Sequence, residues 1–160
     1  MKKKSTLYLS RNGLLEPLGQ SQVFAYLRGL SRNYNITLIT YEKDEDWADK
    51  ARLQKARTDC KDLGIRWLPQ HFRQQPKIVA PAFSMIRMVW LVRREIRQRG
   101  IRLIHARSNI PAATALAVSW MTGVPFLFDL RSLFPEELIT ARRMRRGSFL
   151  HRAIIWAERV

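Results

Sequence analysis

Apolar and polar positions along this chain follow two rhythms, and the switch between them recurs. Short apolar runs at residues 6–10, 36–41, 65–68, 102–105 and 125–129 read as five strands. Longer segments at 20–32, 47–63, 82–99 and 111–121 have the composition and spacing of helices, and two shorter helices are expected from about Pro135 and Ser148. Three junctions share one punctuation: Leu63-Gly64-Ile65, Arg99-Gly100-Ile101 and Thr122-Gly123-Val124 each set a glycine between a helical pattern and a β-branched residue. That is a helix C-cap followed by a strand. Strands joined through helices predict an α/β fold, a Rossmann-like doubly wound parallel sheet with helices on both faces, as one domain over 1–160. Residues 69–81 carry Pro69, Pro76 and Pro81 and are expected to be the one long loop, without strand or helix.

Ligands of such sheets sit beyond the carboxyl ends of the strands, where the order of connections reverses. These ends fall at 10–13, 41–43, 105–109 and 129–132, and the first, third and fourth are the polar ones. The first opens S-R-N-G-L-L-E-P-L-G-Q-S-Q over 10–22. Gly13 and Gly19 are expected to supply backbone conformations closed to other residues. The N–H groups of Gly19, Gln20 and Ser21 are expected to converge at a helix start suited to an anion or a sugar hydroxyl. An ordinary βα turn with two glycines reads the same way.

The next end is I-H-A-R-S-N-I-P, with Ser108 or Asn109 as N-cap and Pro111 in the first turn. His105 is there either as a proton donor or hydroxyl partner, or as a structural histidine. The last is F-D-L-R-S-L-F-P-E-E. Strand alternation puts Asp129 and Arg131 on one side, the carboxylate for a sugar hydroxyl and the guanidinium for a phosphate; an internal ion pair is the alternative. Glu136 and Glu137 suit the start of the following helix.

Composition adds a partner. The chain carries 29 Lys plus Arg against 13 Asp plus Glu, a net charge of +16, so an anionic partner or surface is expected. Beyond Ala80 there is no lysine, and arginines gather at Arg87, Arg93, Arg94, Arg97 and Arg99 and again at Arg142, Arg143, Arg145 and Arg146. In the 82–99 helix Phe83, Ile86, Val89, Trp90 and Ile96 lie among these arginines, as a core face or as a surface resting on anionic lipid headgroups. The basic amino terminus has too brief an apolar run for a secretory signal, and Gly123-Val124-Pro125 divides the uncharged stretch 110–128, so no membrane span is expected. Cys60 is the single cysteine and excludes an internal disulfide; no metal-ligand spacing appears, and neither metal nor cofactor is expected. A reducing cytoplasmic setting fits. Residues 149–160 read as an amphipathic helix without a stop signal, as expected of a piece of a longer protein.

Four segments in order carry a resemblance: S-R-N-G-L-L-E-P-L-G-Q-S-Q-V-F-A-Y-L-R-G-L, I-T-L-I-T-Y-E-K, I-H-A-R-S-N-I-P-A and F-D-L-R-S-L-F-P-E-E. With them the chain resembles, over nearly its whole length, the amino-terminal domain of retaining glycosyltransferases of the family 4 type, one half of the two-domain GT-B fold. The resemblance implies that this half binds a glycan or lipid-linked acceptor, while a carboxyl-terminal domain, without counterpart here, holds the nucleotide-sugar donor. It implies work at an anionic membrane surface, on the inner face of the cell membrane. Gly19 and Gln20 look like the family's loop facing donor phosphates and acceptor, and Arg131 stands where many members have a histidine. The candidate catalytic residues are Arg131, Asp129 and His105. The candidate substrate-binding residues are Asn12, Gly13, Glu16, Gly19, Gln20, Arg107 and Ser108. The alternative is a basic α/β module binding nucleic acid or phosphate without catalysis. No nucleic-acid recognition motif and no P-loop pattern supports it, and nucleic acid is not an expected partner.

Overall fold

The computed structural model describes residues 3–72 and 79–130, with 79–84 described by backbone alone. Arg131, Glu136, Glu137, the arginines of 142–146 and the helices expected from Pro135 and Ser148 lie outside the described residues. By contacts the chain divides into Met1–Asp129, which holds the sheet, and Leu130–Val160.

Five strands form one parallel sheet: β1 (Lys4–Ser10), β2 (Tyr34–Glu42), β3 (Arg66–His71), β4 (Ile104–Arg107) and β5 (Phe126–Asp129). Their order is β3-β2-β1-β4-β5. The chain winds outward from β1 to β3, then returns to the far side of β1 for β4 and β5. The reversal lies between β1 and β4, where such sheets bind ligands. The connections are a π-helical turn (Gly19–Phe24) running into α1 (Ala25–Leu30), then α2 (Asp44–Ala48), α3 (Lys50–Asp62), α4 (Val79–Arg99) and α5 (Asn109–Thr122).

Alternation along the strands sends each face to its own core. Leu7, Leu9, Ile39, Ile104 and Ala106 meet Met88, Leu91 and Val92 of α4 and Ala112, Ala115 and Val118 of α5. On the opposite face Tyr8 and Leu38 meet Val23, Phe24, Leu27 and Cys60. Each fully buried leucine contributes about 2 kcal/mol by leaving water. The same burial pushes the Cys60 thiol up to about 12, the nearby carboxylates of Asp59 and Glu42 adding to it. The expected glycine caps are present: Gly64, Gly100 and Gly123 have φ of +68°, +59° and +72°, the left-handed region that ends a helix without strain only in glycine.

Four expectations are corrected. The helix expected at 47–63 is two, α2 and α3, because the Asp49 side chain accepts the Arg52 N–H at 2.9 Å and caps a new start. The loop expected at 69–81 is entered from both ends by regular structure. Pro69 lies in β3, an edge strand paired with β2 alone, where a missing N–H is tolerated, and Pro81 lies in the first turn of α4, where none is needed. β4 closes at Arg107, two residues later than expected, so Arg107 belongs to the strand.

On α4 the deeply buried positions are Met88, Leu91, Val92 and Glu95, whereas Ile86 and Trp90 are exposed. The true stripe was disguised because a carboxylate occupies its fourth position. Glu95 is held there by Arg66 Nε at 3.1 Å and Arg94 Nη2 at 3.3 Å. No helix among the described residues is long and apolar enough to cross a membrane.

Candidate functional site

The parallel register sets Tyr8 beside His105 and Ser10 beside Arg107 and, across β4, Arg107 beside Asp129. All five belong to the sheet face that α1 covers, because they occupy the positions of Tyr8 in the alternation. His105 is one residue inside β4 and lies against Tyr8, ring centroids 4.4 Å apart, with Tyr26 of α1 edge-on at 5.8 Å. Its Nε2 stands 3.5 Å from Asp129 Oδ2. An imidazole held between two phenol rings and a carboxylate can take a hydroxyl and hold its proton. Tyr26 remains half exposed, so this cluster opens outward along α1.

Arg107 is 93% buried, since only 7% of its surface is exposed. Its Nη2 donates to Gln22 Oε1 of the π-helical turn, while Nη1 has no hydrogen-bond partner among the described residues. A buried guanidinium nitrogen without an acceptor is costly to keep. The residue after it, Ser108, has φ +76°, the one non-glycine residue with positive φ among those described. Its N–H donates to Asp129 O at 3.1 Å, which ties the strained corner to β5. Ser108 precedes α5 as expected, but its side chain makes no capping bond; Pro111 lies in the first turn.

The β1–α1 loop differs most from expectation. Neither Gly13 nor Gly19 has a positive φ. Both are needed for close approach instead: a Cβ on Gly13 would stand 2.5 Å from Glu42 Oε2, and one on Gly19 would stand 2.2 Å from Gly13 O. Helical structure starts at Pro17, and the Gln20 N–H, expected to be open for a ligand, donates to Glu16 O at 3.0 Å. The N–H groups that do converge are those of Leu14 and Leu15, which donate to Glu42 Oε1 at 2.8 Å and Oε2 at 3.1 Å.

More ties hold the loop from outside. Gln20 Nε2 donates to Leu14 O at 2.8 Å, Arg52 Nη2 donates to Leu15 O, and Lys43 Nζ pairs with Glu16 Oε1 at 3.2 Å. Glu16 is thereby part of the loop's fastening to the end of β2. Asn12 is exposed, with its N–H bonded to Ser10 Oγ at 3.2 Å. Burial, with the nearby Asp46 charge adding to it, pushes the Glu42 carboxyl above its ordinary range, and hydrogen bonds from Thr40, Leu14 and Leu15 offset part of that rise.

The structure therefore joins His105, Asp129, Arg107 and Ser108 in one strand-end group, and adds Tyr8, Tyr26, Gln22 and Glu42, which sequence reasoning passed over. Glu42 had a visible signal. It continues the face-by-face alternation of I-T-L-I-T-Y-E, where a charge at an inward position asks for a partner.

This is an α/β protein of the Rossmann-like kind, with a five-stranded parallel sheet and polar strand ends at the reversal point. Among solved structures it is similar to a glycosyltransferase from Rickettsia africae ESF-5, with a TM-score of 0.53 and 12% identity over 86% of this chain and 34% of that one. This chain thus spans about a third of that protein's length. It is also similar to the C-terminal domain (residues 78–226) of the PF1911 hydrogenase from Pyrococcus furiosus, with a TM-score of 0.57 and 16% identity over 81% of this chain and 94% of that one. These likenesses establish the fold, which serves more than one chemistry. No protein-family model and no curated protein sequence matches the chain.

Proposed function

We propose that this chain is the acceptor-side half of a retaining glycosyltransferase of the family 4 type, with a GT-B architecture completed by a donor-binding half. The reaction moves a sugar from a nucleotide-sugar to a glycan or lipid-linked acceptor. The observation that carries the reading is the grouping of Tyr8, Tyr26, His105, Arg107 and Asp129 on one sheet face beside the reversal of strand order.

In this reading the phenol rings give a sugar an apolar wall, and His105 with Asp129 receives the acceptor hydroxyl and its proton. Arg107 offers Nη1 to an anionic or hydroxyl oxygen of the substrate. Asn12 and Gln20 line the rim. The sugar's bond to the leaving phosphate breaks as its bond to the acceptor oxygen forms, and the protein contributes position and charge without a covalent nucleophile.

The isolated 160-residue chain is expected to bind acceptor glycans weakly, shifting the NMR signals of Tyr8, Tyr26 and His105, and to transfer no sugar. Sugar transfer by this chain alone would overturn the half-enzyme reading. Binding of nucleic acid that falls steeply with salt, with no response to glycans, would favour the basic module instead.

The same reading places the protein at an anionic membrane surface. On α4, Ile86 and Trp90 are exposed, and the Arg94 guanidinium lies 5.2 Å above the Trp90 ring. An exposed indole beside a cation suits the headgroup layer. Sedimentation is expected with vesicles containing phosphatidylglycerol and not with phosphatidylcholine alone; equal binding to both would remove the membrane assignment.

A further inference from the structure

Glu42 is a fully buried carboxylate at the carboxyl end of β2, and no lysine or arginine pairs with it among the described residues. What surrounds it are donors. Leu14 N–H and Thr40 Oγ1 meet Oε1 at 2.8 and 2.6 Å, and Leu15 N–H meets Oε2 at 3.1 Å. The Thr40 hydroxyl itself accepts from Trp67 Nε1 at 2.7 Å, so its own proton is directed to Glu42. These three donors favour the ionised form, against the burial and the Asp46 charge that oppose it.

Two successive backbone N–H groups that chelate the oxygens of one anion form the kind of concavity by which loops seize phosphate. Here the concavity is already filled from within. Gly13 is the residue that lets the carboxylate come so close, since any Cβ there would strike Oε2.

We propose that Glu42 is the positioning residue of the β1–α1 loop: its carboxylate is a built-in anion that occupies the Leu14 and Leu15 amides, holds the loop in its site-forming shape and denies that seat to a substrate phosphate. Resting on the glycosyltransferase reading above, this deepens it in one respect. The loop meets the neutral, hydroxyl-bearing part of the substrate, and substrate anions are received on the β4 side, where Arg107 Nη1 awaits an acceptor.

The test uses the whole chain and needs no sugar transfer. Glu42→Ala is expected to lower Tm by about 10 °C, through two unsatisfied amides and a cavity. Sodium formate should restore most of that loss in a saturable manner, and sodium chloride at equal ionic strength should not. Loss of stability that formate and chloride treat alike would overturn the proposal.

The unaltered protein supplies a second measurement should Glu42→Ala not fold. Inorganic phosphate up to tens of millimolar is expected to leave the Leu14 and Leu15 amide NMR signals in place, and phosphate-dependent shifts there would show an open seat and overturn the proposal. If formate rescue holds while glycans shift no signal in the Tyr8 and His105 cluster, the positioning role stands and the glycosyltransferase reading falls.

Discussion

Gly19→Ala is expected to cost about 3 kcal/mol of unfolding free energy, read as a lower urea midpoint at unchanged slope. The added Cβ would stand 2.2 Å from Gly13 O, 2.6 Å from Leu14 O and 2.8 Å from Leu14 C. All three obstacles are backbone, and the backbone cannot rotate aside. The same loop segment is fixed by the Glu42 carboxylate through Leu14 and Leu15 and by Gln20 through Leu14 O, so relief requires breaking those bonds together. Gly29 provides the internal comparison. It lies in α1 with nothing within 4 Å of an added Cβ, and Gly29→Ala is expected to raise stability by about 0.5 kcal/mol. Equal midpoints for the two variants would show that the loop is not seated against itself as described.

Arg107→Met is expected to separate stability from activity. The guanidinium keeps one buried nitrogen without a partner and spends the other on Gln22, an exposed residue that water can serve equally well. Methionine fills similar space without a charge to desolvate, so stability should hold or rise by about 1 kcal/mol. On the glycosyltransferase reading proposed above, the lost charge-assisted hydrogen bond should lower kcat/KM of the complete enzyme by about 10- to 100-fold. A variant that lost stability while keeping activity would make Arg107 a structural residue and take it out of the site.

Much of the fold was legible because it rests on local rules. The three glycine caps, the five apolar runs and the parallel winding follow from single-residue conformational preference and periodicity, and each is present in the structure. What escaped were features set by neighbours distant in sequence. Pro69 fits a strand only because β3 lies at the sheet edge, and the buried face of α4 includes Glu95 only because Arg66 arrives from β3. The positions of His105 and Asp129 near one another could be read from strand order. The role of the two loop glycines could not, since Gly13 makes room for Glu42, 29 residues further on at the end of β2, and Gly19 makes room for the loop backbone at Gly13 and Leu14. A glycine chosen for φ and a glycine chosen for room look alike until the partner is in place.

The π-helical turn at Gly19–Phe24 has a consequence for how the loop is measured out. A π turn takes in one more residue than an α turn, so the helix beyond Phe24 leaves about 100° out of phase with an unbroken α-helix from Pro17. Within the turn Gln22 meets Arg107, and in the new phase beyond it Tyr26 meets His105, the helix descending as the strand rises. The interval between the glycine contact and β4 is therefore a count as well as a shape. A chain with one residue fewer in this turn could keep every glycine and every strand end, yet present different side chains to the same histidine and arginine.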